Sequence, residues 1–460
     1  MARVYPFRAL RYNPSRVRLE DVVTQPYDKI TPGMQQGYYD RSPYNLVRII
    51  LGLPGLFDNA ENNVYTRAAA DLAAWRANGV LALENEPAVF AYAQRYAVPN
   101  AAGATGATGV VQERRGFIAL GELYDYAQKV VFRHEQTLDK PKSDRMNLLR
   151  ATRTHCEQIY MLYSDPSHST EKLLFPGGSV PDIEVADDYG VQHLLWKVSD
   201  TNTINMLCAA MADKKLIIAD GHHRYETALA YRAEREQAGL PEHRAHTRQR
   251  MQGQLPRPEF PEAAAMMTFV NMDSEGIAIL PTHRSVFALK DFAPDAFLKQ
   301  AELFFTVRRL EATNSARETG SSQMLSQLAS AATGGPSFLA AMKTGNYLLT
   351  IKAAVAEAAL ASLPPRQRKL DVAVLHTLVL EKLLGLTPES IRQQANVHYW
   401  RDASEALSEV ASGTADVAFL LNPVTLDQLR EVAFAGEIMP QKSTDFYPKL
   451  LSGLTLYALD

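Results

Sequence analysis

The sequence predicts a mixed α/β (α+β) fold, because short apolar runs of strand type alternate with runs that have helical spacing. The strand-like runs lie at 88–98, 116–123, 215–220, 266–272 and 346–352. Apolar residues spaced three and four apart predict helices at 65–79, 143–155 and 369–385. With 460 residues, of which 46% are hydrophobic, the chain can bury more than one core.

Stretches rich in proline and glycine interrupt this pattern and predict where the chain divides. The stretch 238–262 contains four prolines and four arginines and is typical of an exposed loop. We therefore predict an N-terminal α/β region at 1–240, which carries the main site, and a C-terminal α/β region at 263–460. A lid that folds over a ligand is the alternative interpretation of the loop. The stretch "VPNAAGATGATG" (98–109) predicts a hairpin tip between two of the strands.

The composition favours a soluble, cytoplasmic, globular protein. The formal net charge is -3, so no overall basic field favours nucleic acid as a partner. Cys156 and Cys208 form no CxxC pair, which suits a reducing compartment. No run approaches about 18 apolar residues, and the first residues lack the apolar segment of a signal peptide, so we expect no membrane span. A homodimer is compatible with these features.

The stretch "LIIADGHHRYETALAYRAEREQ" (216–237) places polar residues where a strand passes into a helix. The apolar run 216–219 predicts the strand, and 223–237 predicts the helix. The first N–H groups of a helix have no partner within it, and the helix dipole adds partial positive charge there. The turn therefore favours an anion, phosphate above all.

The side chains of this turn fit the same interpretation. Gly221 allows a tight turn and the close approach of a ligand. His222, His223 and Arg224 supply donors, and arginine can hold phosphate in bidentate fashion. Asp220 would repel an anion unless it holds magnesium or takes a proton. In the alternative interpretation, Asp220 caps the helix and the cations form a solvated first turn.

This turn and five other stretches resemble the bacterial and archaeal family catalogued as domain of unknown function ten-fifteen. The five stretches are "PFRALRYNP" (6–14), "TQPYDKI" (24–30), "SPYNLVRI" (42–49), "RHEQTLDKPKSDRMNLLRAT" (133–152) and "MPQKSTDFYPKL" (439–450). The resemblance spans essentially the whole chain. It implies membership of that family and, by itself, no activity.

The Asp-Gly-His-His-Arg string at 220–224 also resembles the nucleotide-binding turn of the ParB and sulfiredoxin-like fold. Free-serine kinases of that superfamily carry the same string, in which the Asp and a separate acidic residue serve phosphoryl transfer to serine. The resemblance implies a ParB/sulfiredoxin-like nucleotide-binding core with additional α/β domains, ATP or ADP as the nucleotide, and Mg²⁺. No cysteine stands in the turn, which disfavours the sulfinic acid repair of sulfiredoxins.

Phosphoryl transfer requires cations around the phosphates and a carboxylate that orients or deprotonates the acceptor. We therefore predict four catalytic residues, Asp220, His223, Asp28 and Glu135, with Asp220 also a ligand of Mg²⁺. The predicted phosphate- or nucleotide-binding residues are Gly221, His222, Arg224, His134, Thr137, Arg145, His283, Arg284, Lys442, Ser443 and Thr444.

Several of these assignments have a structural alternative. Asp28 could cap the turn that precedes it, and Glu135 could form an ordinary ion pair with Arg145. The polar stretch 442–444 looks like the end of a P-loop, but no GxxxxG precedes it, so we reject a Walker A motif. A solvated loop is the alternative there.

Two classes of function compete for this sequence. The first is a nucleotide-dependent kinase that acts on a small hydroxyl compound, with free L-serine the best single candidate. The second is a nucleotide-binding regulatory or sensor protein of ParB-like type, without catalysis. The number of acidic residues available to one site favours the kinase, since a sensor needs fewer of them.

Overall fold

The structure is a computed structural model that describes residues 2–99, 111–239, 254–311 and 317–460. The mixed α/β fold predicted from the sequence is confirmed. Most of the predicted hairpin tip at 98–109 and most of the predicted loop at 238–262 lie outside the described residues.

The described residues contain strands that form two main sheets and three small ones. The strands are β1 (Val4–Tyr5), β2 (Leu10–Tyr12), β3 (Leu81–Leu83), β4 (Val89–Ala97), β5 (Val111–Glu122), β6 (Val131–Phe132), β7 (Thr154–His155), β8 (Ile159–Tyr163), β9 (Ile183–Ala186), β10 (Gln192–Val198), β11 (Leu216–Asp220), β12 (Ala264–Asn271), β13 (Ala278–Leu280), β14 (His283–Val286), β15 (Phe305–Leu310), β16 (Ser337–Met342), β17 (Gly345–Ile351), β18 (Val397–Trp400), β19 (Val417–Leu421), β20 (Asp445–Tyr447) and β21 (Tyr457–Ala458).

Helices connect these strands and cover the sheets. They are α1 (Pro32–Arg41), α2 (Val47–Ile50), α3 (Val64–Ala77), α4 (Asp139–Thr152), α5 (Ser169–Leu174), α6 (Thr201–Met211), α7 (His222–Gln237), α8 (Pro294–Ala301), α9 (Arg317–Ala331), α10 (Ala353–Ala359), α11 (Asp371–Val374), α12 (Pro388–Arg392), α13 (Ala403–Ser412) and α14 (Leu426–Phe434). The helical run predicted at 369–385 begins as α11 and continues as a π-helix over Leu375–Leu383. Among the described residues, no helix combines the length and the apolar character that a membrane crossing requires.

The larger sheet contains nine strands in the order β6-β11-β8-β12-β5-β4-β10-β9, with β1 paired to β5. β11 is parallel to β6 and β12 is parallel to β8, whereas the other pairings are antiparallel. Every residue of β12 is buried, as expected for a central strand that pairs on both edges. Gly116 of β5 lies so close to the Phe269 carbonyl of β12 that no Cβ would fit.

The second sheet contains six antiparallel strands in the order β15-β17-β16-β19-β14-β18. One hydrophobic core joins the two sheets, because it includes Tyr160 of β8 together with Phe338 of β16 and Phe419 of β19. A further core on the larger sheet includes Phe117 and Ile218. The strand β12 pairs within the larger sheet, and the predicted division into regions 1–240 and 263–460 remains a prediction.

The C-terminal segment returns to the N-terminal part of the chain. β20 pairs with β13, and β21 pairs with β7. Two isolated bridges, Thr24 to Ser452 and Leu10 to Leu456, extend this contact. The return places the polar stretch 439–449 next to the end of β11, and this juxtaposition builds the site.

Candidate functional site

The strand-to-helix turn predicted at 220–224 is present in the structure. β11 is buried up to Ala219, and Gly221 has a φ of 95°, a left-handed conformation that glycine adopts without strain. α7 then begins at His222, one residue before the predicted start. The Gly221 N–H donates to the Asp220 carboxylate over 2.9 Å, and no side chain caps the helix. Asp220 is therefore not a helix cap of the usual kind.

A charged cavity of about 400 Å³ lies beside this turn, between the two main sheets. Asp220 approaches it from the larger sheet, and Tyr399 and Trp400 of β18 approach it from the second sheet. Carboxylates and cations alternate on its wall. They are Asp28, Glu135, Asp187, Asp220 and Asp445, and Lys29, Arg401, Lys442 and Lys449.

A chain of ion pairs crosses the floor of this cavity. The Lys449 ammonium lies 3.3 Å from Asp220 and 2.9 Å from Asp445. Asp445 in turn contacts the Arg401 guanidinium at 2.6 Å and the Lys29 ammonium at 3.5 Å. The cluster is largely buried, so water screens these attractions less than it would at the surface.

These contacts shift the pKa values of the cluster. Burial alone would raise the pKa of Asp220, but the charges of Lys449, Arg224 and Lys29 outweigh it and hold that pKa well below its usual range. The pKa of the Lys449 ammonium is raised, because Asp220 and Asp445 outweigh the opposing effect of its burial. Both groups are therefore charged at neutral pH.

The two other predicted acids, Asp28 and Glu135, also line the cavity. Asp28 is exposed and lies in the one-turn helix Tyr27–Lys29, which has no side-chain cap. Within the described residues, its carboxylate has no hydrogen bond or ion pair. Glu135 instead accepts the backbone N–H of Lys442 over 2.9 Å. The two carboxylates thus differ in how free they are to meet a ligand.

Lys442 and Thr444 line the same cavity, whereas Ser443 does not. Lys442 has a left-handed backbone, with a φ of 55°, and Glu135 holds its N–H. Among the residues that the structure describes, the Lys442 ammonium has no acidic partner. The Ser443 hydroxyl donates to the Pro440 carbonyl over 2.5 Å, and this hydrogen bond stabilises the conformation of the loop.

The predicted histidines lie behind the cavity wall. His134 and His222 are buried, and their rings meet edge to face at 4.7 Å. Burial lowers the pKa of each to about 3, so both are neutral at physiological pH. The His134 ring also contacts the Thr444 hydroxyl at 2.9 Å. His223 accepts the Leu138 N–H over 2.8 Å, and burial lowers its pKa as well.

Arg224 and Arg145 point away from the charged cavity. The Arg224 guanidinium donates to the Gln158 carbonyl and lies 4.0 Å from Asp220. The Arg145 guanidinium pairs with Asp144 at 2.5 Å and lies 3.5 Å from Glu157. Arg145 therefore forms its ion pairs with these two acids and not with Glu135. Both guanidinium groups are occupied by protein contacts.

Thr137, His283 and Arg284 also have partners within the protein. The Thr137 hydroxyl donates to Glu226 over 2.5 Å, and His283 accepts the Leu421 N–H over 3.2 Å. The buried Arg284 donates to the Lys442 carbonyl over 3.0 Å and to the Thr282 and Gln441 carbonyls. These side chains support the walls of the cavity but do not line it.

The family of the chain follows from its sequence as a whole. The family described as "Protein of unknown function (DUF1015)" matches residues 4–373. The chain belongs to this family. No curated protein matches this DUF1015 chain.

Solved structures similar to this DUF1015 chain share 11% identity with it. A free serine kinase in complex with AMP has a TM-score of 0.33, over 69% of this chain and 83% of the other. A conserved hypothetical protein from Pyrococcus furiosus has a TM-score of 0.33, over 71% and 91%. SbnI with a C-terminal truncation, from Staphylococcus aureus, has a TM-score of 0.34, over 73% and 85%. Similarity at this level does not define the function of this chain.

Five charged residues that line the cavity of this DUF1015 chain are absent from the predicted site residues. They are Lys29, Asp187, Arg401, Asp445 and Lys449. Three of them stand inside stretches that carry the family resemblance, Lys29 in "TQPYDKI" and the other two in "MPQKSTDFYPKL". Their position in those stretches could have been used to predict them as site residues. Asp187 and Arg401 stand outside these stretches, and Arg401 directly follows β18 and contacts Asp445.

The described residues contain no group of three or more His, Cys, Asp or Glu that could hold a metal ion. Asp220, the predicted metal ligand, already contacts Lys449. Mg²⁺ is commonly bound by one or two carboxylates together with substrate phosphates. The described lining of the cavity in this DUF1015 chain therefore does not fit a Mg²⁺ ion held by protein ligands alone, and a bound Mg²⁺ would also need oxygens from a ligand.

Proposed function

We propose that the chain is a nucleotide-dependent phosphotransferase that transfers a phosphoryl group from ATP or ADP to the hydroxyl of a small acceptor. The observation that carries this proposal is the charged cavity, which is lined by the cations Lys29, Lys442 and Lys449 and by Asp28. Within the described residues, the Asp28 carboxylate forms no ion pair. Phosphoryl transfer requires this combination of positive charge and one available acid. Free L-serine is the leading acceptor because of the Asp-Gly-His-His-Arg resemblance.

The carboxylates of the cavity take different roles in this proposal. Asp220 is bound by Lys449 and its pKa is lowered, so it is a weak proton acceptor. Glu135 is used to hold the backbone of Lys442. Asp28 has no competing contact within the described residues. We therefore assign Asp28 as the general base and Asp220 as the group that orients Lys449.

The reaction follows from these positions. Asp28 accepts the proton of the acceptor hydroxyl while the hydroxyl oxygen attacks the terminal phosphorus of the nucleotide. The bond from that phosphorus to the leaving nucleotide oxygen then breaks. Lys442 and Lys449 balance the negative charge on the phosphates as this bond breaks. A Mg²⁺ ion bound to the nucleotide would supply further positive charge, and Asp220 would be the carboxylate that helps to hold it.

Phosphate transfer by the purified protein tests this proposal. ATP, ADP and CTP are each incubated with serine, threonine, homoserine or glycerate, and the phosphorylated product is measured directly. We expect one nucleotide and one acceptor to give product. If nucleotide binds in calorimetry but no acceptor is phosphorylated, the chain is a nucleotide sensor and the proposal is wrong.

A further inference from the structure

A second cavity, of about 490 Å³, lies at one end of the six-stranded sheet. It lies where β19 ends and β16 begins, and it has no lining residue in common with the charged cavity. Alanine, proline and valine side chains form part of its wall. The polar lining residues are Thr333, Lys369, Asp371, Asn422, Thr425 and Gln428.

Asp371 is the carboxylate of this second cavity. One of its oxygens accepts the Ser337 N–H over 3.0 Å, and the other accepts the Asn422 side-chain amide over 2.8 Å. Within the described residues, no Lys, Arg or His forms an ion pair with it. Burial raises the pKa of Asp371 to about 6, and the two hydrogen bonds reverse this only in part.

The two hydrogen bonds that Asp371 accepts do not explain why a charged residue is needed at this position. Both donors are neutral amides, and a neutral acceptor would satisfy them equally well. Asp371 is half-buried, so water stabilises its carboxylate only in part once it ionises, which happens above about pH 6. Each carboxylate oxygen also keeps a second lone pair.

The other polar groups of the cavity wall leave one more acceptor. Thr425 and Gln428 bond to each other in a capping box, and Thr333 donates to the Ser330 carbonyl. Among the described residues, the side-chain oxygen of Asn422 has no donor. It stands beside Asp371, to which its own amide donates. Lys369 also lines the cavity, but among the described residues it forms no ion pair with Asp371. The cavity therefore presents two adjacent acceptors, one of them charged, without an ion-paired cation in the described part of the chain.

We infer that this second cavity binds a small ligand that carries a primary ammonium group, which pairs with the Asp371 carboxylate and donates to the Asn422 side-chain oxygen. An ammonium group has three donors and a positive charge, which matches these acceptors. The inference is independent of the reaction proposed for the charged cavity, because the two cavities have different linings.

Calorimetry on the full chain tests this inference with three probes. Ethanolamine and putrescine carry ammonium groups, and ethylene glycol is the uncharged control. We expect both amines, but not the glycol, to bind the parent protein, with an affinity at least about tenfold lower in Asp371→Asn, the scale of one charge-assisted hydrogen bond. Asp427→Asn is the matched control, because Asp427 is an exposed acid in the first turn of α14 outside the lining.

The pH dependence in the parent protein gives a second measurement that needs no variant. Because the amines stay protonated, their affinity should fall as pH drops below about 6, where Asp371 binds a proton. Absence of amine binding to the parent protein would overturn the inference. Equal binding to Asp371→Asn, or an affinity unchanged between pH 7 and pH 5, would overturn it as well.

Discussion

Asp28 and Asp220 line the same cavity but have different surroundings. Asp220 is held by Lys449 and by the Gly221 N–H, whereas the exposed Asp28 has neither an ion pair nor a hydrogen bond in the part of the chain that is described. A carboxylate in an ion pair resists protonation, and a free one can accept a proton during a reaction. The sequence alone could not separate these roles, because Asp220 follows an apolar run and Asp28 follows a Pro-Tyr turn, and neither pattern indicates whether the carboxylate has a partner.

Substitution of each acid by asparagine separates the two roles. Asp28→Asn should lower turnover by about two or more powers of ten, the usual effect of losing a general base, with nucleotide affinity unchanged. Asp220→Asn should leave Lys449 with Asp445 as its remaining partner, and we expect weaker nucleotide binding as well as slower turnover. Steady-state kinetics and calorimetry measure the two effects. A fully active Asp28→Asn variant would remove Asp28 from the mechanism and make Glu135 the next candidate.

Arg224 shows how a plausible phosphate ligand can serve the fold. Its guanidinium donates to the Gln158 carbonyl, and its charge balances the buried Glu157 and Asp220. The sequence places it in the first turn of α7, but the side-chain direction depends on the neighbouring segment 157–158. That direction could not be predicted from the local pattern.

Arg224→Ala should therefore act on stability more than on affinity. We expect the free energy of unfolding to fall by about 2–4 kcal/mol, because a buried charged hydrogen bond is lost and Glu157 keeps only Arg145 nearby. The nucleotide affinity should change little. Lys442→Ala should have the opposite effect, because we expect its nucleotide binding to be about tenfold weaker and its free energy of unfolding to be unchanged. Urea denaturation and calorimetry measure both, and the reverse outcome would return Arg224 to the phosphate site.

At the scale of elements, the loop 439–449 is held by two buried arginines. Arg284 of β14 donates to the Gln441 and Lys442 carbonyls. Arg114 of β5 donates to the Tyr447 carbonyl over 3.2 Å and to the Pro448 carbonyl over 2.6 Å. One arginine belongs to each main sheet, so the loop is tied to both. This arrangement fixes Lys442 and Lys449 at the cavity.

Arg284→Met tests whether this tether positions the loop. Loss of the carbonyl contacts should lower turnover by more than about tenfold, because misplaced cations no longer balance the phosphate charge. Arg284→Lys should recover part of the activity, since it keeps the charge and one contact. Arg309→Met is the control, because Arg309 also donates to a carbonyl, that of Thr344, but lies outside the cavity lining. Equal losses in both methionine variants would indicate a general loss of stability and contradict the tether.

The sequence predicts individual elements well because each depends on local periodicity. The strand-like runs at 88–98 and 266–272 are β4 and β12, and the helix predicted at 65–79 is α3. The cavity depends instead on contacts between distant segments, such as Lys449 with Asp220. Residues in the stretches that carry the family resemblance line the cavity, but their spacing in the sequence does not predict which of them form ion pairs with each other. The sequence therefore predicts which segments matter better than it predicts which side chains face the ligand.

At the scale of the whole molecule, the interface between the two sheets buries several neutral histidines. Burial lowers the pKa values of His134, His222 and His283 to about 3. In the unfolded chain these side chains have pKa values of about 6.5. Below that pH the unfolded state binds more protons than the native state, so acid favours unfolding. The carboxylates with lowered pKa values, such as Asp220, add to this effect only below about pH 4.

Stability should therefore be highest above about pH 6.5 and should fall as the pH drops from there toward 3. Each buried histidine contributes about 1.4 kcal/mol per pH unit once its unfolded form is protonated. Asp371 acts in the opposite direction between about pH 4 and 6, because its native pKa is raised and its native carboxyl takes up the proton first.

His283→Asn should reduce the slope of unfolding free energy against pH by about one proton, since asparagine still offers an acceptor to the Leu421 N–H but does not titrate. Urea denaturation at pH 7, 6, 5 and 4 measures this slope. A parent protein whose stability does not change between pH 7 and 4.5 would contradict this prediction.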